Sequence, residues 1–144
     1  MRDPIFVDTW GWLALGHRRD QNHSVVKEYF QKLKQEEGLL HTSDYILDEV
    51  MTLVFKRESF DEARHFMDGI FQASNIKELQ IHRVTPSRFE KTWQLRTRLQ
   101  DKPNISFTDL SSMVLMDELG LHFILSQDNH FLQVGMGFSF VEFA

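Results

Sequence analysis

Residues 106–131, SFTDLSSMVLMDELGLHFILSQDNHF, constrain the fold more than any other part of this chain. Ser106 has the chemistry of an N-cap, and Asp109 falls three residues later in the first helical turn. Leu110, Val114 and Leu121 continue an apolar stripe at helical spacing, and Gly120 closes the helix. Residues 122–126 then form an apolar run short enough for an interior strand. Asp128 stands just past its C-terminal end. In a parallel α/β sheet, helices begin on the edge where strands end. Asp109 and Asp128 are therefore expected on one edge of one sheet.

The rest of the chain repeats this unit. Ile5, Phe6 and Val7 form a short apolar strand ending in Asp8. Residues 9–16 suit a short helix, and a second helix runs from Asn22 or His23 to about Glu37, with Val25, Val26, Tyr29, Phe30 and Leu33 on one face. Residues 38–41 read as the second strand. Thr42 or Ser43 caps a third helix that ends near Arg57. Ser59 and Glu62 form a capping box for a fourth helix reaching about Ala73. Residues 79–84 alternate as the third strand. Thr85 and Pro86 open a fifth helix to about Gln100. Residues 138–143 form the last strand. Strands alternating with helices from end to end imply a parallel sheet with helices on both faces.

Composition narrows the function classes. A length of 144 residues suits one domain, 1–144, with a full core. Apolar and charged fractions of 42% and 26% are ordinary for a globular protein. No apolar run approaches membrane-spanning length, and the N-terminal residues lack a signal-peptide core. A cytoplasmic protein is expected. The absence of cysteine excludes disulfides and thiolate chemistry. A formal net charge of −5 argues against a surface coated in basic groups for nucleic acid, but a nuclease needs them only locally.

Four carboxylates are expected to converge. Asp8 and Asp128 follow strands, Asp109 starts a helix, and Glu49 borders the core-facing stripe of the third helix; Asp48 points away from it. Taken singly, Asp109 reads as a first-turn acid, Asp128 as a turn residue and Glu49 as a solvated helix acid. Only their joint placement makes a site. Bare carboxylates repel one another unless cations fill the cluster, and hard oxygen ligands select Mg²⁺ or Mn²⁺ over zinc. Such ions favour phosphodiester hydrolysis.

The segments IFVDTWGWLA, SDYILDEVMTLV, SFTDLSSMVLMDELG and FILSQDNHF, in that order, resemble the PIN domain, the fold of many small metal-dependent ribonucleases. The resemblance implies an α/β, three-layer sandwich around a mostly parallel five-stranded sheet of order 3-2-1-4-5. It maps the catalytic and metal-binding acids onto Asp8, Glu49, Asp109 and Asp128, with Thr9 and Ser126 in support. The chain's length is similar to that of VapC-type toxins. That likeness implies an endoribonuclease using Mg²⁺ or Mn²⁺, acting on RNA, held by a small antitoxin and paired as a homodimer, with no membrane association. An RNA-processing nuclease outside a toxin pair and a non-catalytic PIN scaffold are the alternatives. A haloacid-dehalogenase-type phosphatase needs Asp-x-Asp after its first strand, whereas Asp8 is followed by Thr9 and Trp10. A receiver domain needs an acid after strand three, where Val84, Thr85 and Pro86 stand instead. His130, two residues past Asp128, is within reach of the cleft but is read as a surface residue. His17, Arg18, Arg19, Lys56 and Arg57 are candidates to hold RNA phosphates, with a solvated surface the preferred reading. Arg96 and Arg98 are read as solvated.

Overall fold

A computed structural model describes residues 3–143. Five strands, β1 (Ile5–Val7), β2 (Leu40–Ser43), β3 (Leu79–His82), β4 (Phe123–Leu125) and β5 (Ser139–Phe140), form one sheet in the order β3-β2-β1-β4-β5. Every neighbouring pair is parallel. Seven helices connect them: α1 (Thr9–Gly16), α2 (His23–Gln35), α3 (Asp44–Arg57), α4 (Phe60–Asn75), α5 (Pro86–Arg98), α6 (Phe107–Leu119) and α7 (His130–Gln133).

The strand order fixes where the helices go. From β1 to β3 the chain steps outward in one direction; from β3 it returns past β1 to β4 and β5. Parallel crossovers are right-handed, so α1–α4 cover one face and α5–α7 the other. The packing agrees: α1 meets α2 and α3, α3 meets α4, and α5 lies along α6. The direction of winding reverses between β1 and β4. The ends of two adjacent strands there lead to opposite faces and leave a crevice.

The short central strands are entirely apolar in β1 and β4, because both faces of the sheet are covered. Phe6, Ile124, Leu125, Leu110, Met113 and Phe131 are fully buried among them. Several expected strand boundaries shift, and β3 ends at His82 rather than residue 84. β2 lies at Leu40–Ser43 rather than residues 38–41, because Ser43 ends the strand and caps α3 at once, its Oγ accepting from the Ile46 amide at 3.1 Å. Gly38 belongs to the close of α2, its amide donating to the Leu33 carbonyl at 2.8 Å. β5 shrinks to two residues because it is an edge strand that pairs only with β4. The short helix α7 carries no sequence pattern long enough to announce it. At the end of α6, Gly120 takes a left-handed conformation, φ 69°, as a helix-closing glycine does.

Candidate active site

The four predicted carboxylates come together with Thr9, Ser126 and His130 around a cleft of about 500 Å³ at the β1/β4 crevice. A larger groove of about 860 Å³, lined in part by Phe30, Leu33, Phe66 and Ile70 between α2 and α4, contains none of these acids. The four acids all line the smaller cavity.

Asp8 sits where β1 passes into α1 and is only 5% exposed. Its amide donates to the Leu125 carbonyl at 3.2 Å, which ties the end of β1 to the end of β4. Gly11 makes that proximity possible: a Cβ there would lie 2.8 Å from Leu125 Cδ2 and 3.1 Å from its carbonyl oxygen. Behind Asp8, Trp12 Nε1 donates to Thr42 Oγ1 at 3.1 Å, and Thr42 donates to the Val7 carbonyl at 3.0 Å. These buried polar bonds lock α1, β2 and β1 together.

Ser126 links two of the acids. Its hydroxyl donates to Asp8 Oδ2 at 2.6 Å and accepts from the Asp128 amide at 3.0 Å. Thr9 plays a similar part for a third, donating to Glu49 Oε1 at 2.8 Å. Glu49 is half-buried beside the stripe of Ile46 and Val50, whereas Asp48 faces solvent. Asp109 lies in the first turn of α6, where Ser106 Oγ accepts from its amide at 3.0 Å. Spacing alone puts Asp8, Glu49, Asp109 and Asp128 on this edge; the supporting positions of Thr9 and Ser126 come from the resemblance.

Three residues read from sequence as surface groups, His130, Arg96 and His17, are not free. His130 starts α7 and enters the cleft: its amide donates to Asp128 Oδ1 at 2.9 Å. Its Nδ1 lies 3.1 Å from Asp128 Oδ1 and 3.7 Å from Asp109 Oδ2. That nitrogen is buried, yet neither contact has the alignment of a hydrogen bond. Arg96 donates to the carbonyls of Leu99, Lys102 and Ile105 at 2.6, 2.7 and 2.9 Å. It thereby pins the loop that delivers Ser106 and Asp109. A guanidinium facing three carbonyls in one loop needs the tertiary path of that loop, so helical periodicity could not reveal it. His130 had a signal in its spacing of two residues from Asp128. Of the basic loop residues, His17 is engaged by Glu58 at 2.7 Å.

The electrostatics of the cleft are unresolved by the protein itself. Burial pushes Asp8 up to about 6 against the opposing hydrogen bond from Ser126, and the charges of Glu49 and Asp128 add to the rise. Asp109 is pushed up to about 8, first by burial, then by the charge of Asp8 and by its hydrogen bond and charge interaction with Asp128. No Lys or Arg lines this cleft among the described residues. Asp109, Asp128 and His130 each offer a ligand atom, all within 4.8 Å of one another. An oxygen-rich donor set with an unaligned buried nitrogen suits a divalent cation.

A doubly wound parallel sheet with an acidic crevice at its switch point defines the class. The chain belongs to the PIN domain family, whose model matches residues 5–136. It is similar to the 23S rRNA-specific endonuclease VapC20 of Mycobacterium tuberculosis, 28% identical over 131 residues that cover 91% of this chain and 94% of the relative. The crystal structure of M. tuberculosis VapC20, described as a sarcin-ricin loop cleaving toxin, superposes with a TM-score of 0.73 at 26% identity, covering 91% and 95% of the two chains. A chain of VapBC2 from Rickettsia felis, solved with a promoter DNA fragment, gives 0.71 at 15% identity over 96% and 97%, a likeness of fold alone. No helix among the described residues is long and apolar enough to cross a membrane.

Proposed function

We propose that this chain is a metal-dependent endoribonuclease, the toxin of a toxin–antitoxin pair, hydrolysing RNA phosphodiester bonds in the cytoplasm. The observation that carries the reading is the meeting of Asp8, Glu49, Asp109 and Asp128 around one cleft that, among the described residues, no Lys or Arg lines. Membership of the PIN family and likeness to an RNA-cleaving relative support it.

In this reading the four acids are the catalytic and metal-binding residues, and they would hold Mg²⁺ or Mn²⁺. When bound, the ion supplies charge stabilisation to the phosphoryl oxygens and lowers the pKa of an attacking water. The chain's own part is preorganisation. Ser126 fixes the Asp8 carboxylate, Thr9 fixes Glu49, and the Ser106 cap sets the turn that carries Asp109. A small antitoxin would silence the cleft by placing an Arg or Lys among the carboxylates. Exposed aromatics, Phe60 at 66% and Trp93 at 53% among them, support a protein that covers apolar surface by pairing, here as a homodimer.

The test is cleavage of a ribosomal RNA hairpin with Mg²⁺ or Mn²⁺ and with EDTA. Cleavage that requires the ion and is lost in Asp128→Asn is the expected result. Equal cleavage in EDTA overturns the reading.

A further inference from the structure

His130 faces two carboxylates in the cleft, yet its ring nitrogen Nδ1 is buried without a hydrogen bond to either. Its backbone amide is committed to Asp128 Oδ1. Its ring nitrogen Nδ1 is then turned into the cleft against two carboxylates, 3.1 Å from Asp128 Oδ1 and 3.7 Å from Asp109 Oδ2. A polar atom that is buried and has no hydrogen-bond partner costs free energy, so such an atom calls for a cause. The spacing offers one. Adjacent ligands of an octahedral ion bound at about 2.1 Å are about 3 Å apart. Nδ1 and Asp128 Oδ1 already stand at that separation, and Asp109 Oδ2 is 3.7 Å from the same nitrogen.

We infer that His130 is a nitrogen ligand of the divalent cation, binding through Nδ1 beside Asp128 and Asp109. The inference rests on the proposed metal-dependent reading of the same cleft and specifies its donor set. Binding through Nδ1 requires the tautomer with its proton on Nε2. One imidazole among carboxylates makes a mixed N/O set. Imidazole favours first-row transition metals over Mg²⁺, whereas carboxylates alone suit Mg²⁺ and Mn²⁺ alike. The site should therefore prefer Mn²⁺ to Mg²⁺. His130→Asn, which keeps a short polar side chain at the start of α7 but removes the nitrogen ligand, should weaken Mn²⁺ binding by about tenfold or more, the scale seen even for groups one step removed from a metal. Mg²⁺ binding should fall less.

The decisive measurement is pulsed electron paramagnetic resonance on the full chain loaded with Mn²⁺. It reads the nuclei bound to the ion and requires no turnover. A nitrogen modulation from a directly bound imidazole in the parent, absent in His130→Asn, is expected. Calorimetric titration of both proteins with Mn²⁺ and with Mg²⁺ gives the selectivity. Three results would overturn the inference. If Mn²⁺ binds, is weakened by Asp128→Asn, and shows no nitrogen modulation, His130 is not a ligand while the four-acid site stands. If the modulation persists in His130→Asn, another histidine supplies it. If Mn²⁺ does not bind the parent at all, the metal-dependent reading fails together with the assignment of His130. A His130 that serves only as a protonated partner for the two carboxylates would give the first of these results.

Discussion

The acidic cleft and the pair His41–His82 are two places where titratable groups are crowded against the same sheet, and they resolve the crowding in opposite ways. His41 on β2 is 6% exposed, and its Nδ1 lies 2.8 Å from His82 Nε2 on β3. The rings stack within 12° of parallel. Burial, and then the neighbouring ring, hold His41 down at about 4; burial and Arg88 lower His82, with Glu118 opposing them. Two neutral imidazoles satisfy each other, one nitrogen donating and one accepting. The pair is electrically silent and joins adjacent strands. The carboxylates have no such solution. When ionised they only accept hydrogen bonds, so Ser126 and Thr9 can each satisfy one oxygen but cannot cancel charge. Crowding that the chain neutralises by itself builds the fold. Crowding left over points to a ligand.

The largest effects expected are on activity, and they separate the two regions. Asp8→Asn or Asp128→Asn should lower RNA cleavage by roughly a hundredfold or more, about 2.7 kcal/mol at the transition state. Glu49→Gln should also be severe. Asp48→Asn, one residue away but facing solvent, should leave the rate unchanged, as should His41→Asn. Rates measured at saturating Mn²⁺ decide this, and equal damage from the Asp48 change would break the comparison.

Next comes the response to metal. The parent should gain stability on addition of Mn²⁺ by mass action, about 2.7 kcal/mol at a free concentration one hundred times the Kd. Asp109→Asn should gain less. Thermal melts in EDTA and in Mn²⁺ measure both. A parent that melts identically in the two would mean that the leftover charge of the cleft is not completed by a cation.

Smaller effects follow from protonation in EDTA, and their signs differ between the regions. Asp8 and Asp109 have raised pKa values in the folded chain. Their favourable contribution is complete below the ordinary carboxylate pKa near 4 and is lost as pH rises through about 6 and about 8. Asp109→Asn should therefore become more stable relative to the parent as pH climbs from 4 to 8, despite losing a favourable interaction with the N-terminus of α6 of about 0.3–1 kcal/mol. Melting temperatures across that range test it. A mutant that is less stable at pH 8 would show that Asp109 is only a first-turn acid.

The smallest shift belongs to the histidines. His41 has a lowered pKa, so its contribution is complete above about 6.5 and is lost as pH falls through about 4. His41→Asn retains an amide near the position of Nδ1 and should cost about 0.5–1.5 kcal/mol at pH 7. That deficit should narrow toward pH 4. A constant deficit across the range would mean that the pair does not titrate with folding.

How far the sequence could be read divides along the same line. The strand–acid and cap–helix patterns determined the elements and put Asp8, Asp109 and Asp128 on one sheet edge, because a parallel sheet has a single edge where strands end and helices begin. The stripe of α3 placed Glu49 inward and Asp48 outward, since both follow from 3.6 residues per turn. The resemblance to PIN domains supplied the strand order, which periodicity does not encode. Only the tertiary structure turned His130 into the cleft, set Arg96 across the carbonyls of its loop, ran the buried chain from Trp12 through Thr42 to Val7, and stacked His41 on His82. Each of these depends on where two distant segments meet. A local pattern fixes the direction in which a side chain leaves its own helix or strand; what it meets there is decided by the packing of elements tens of residues apart.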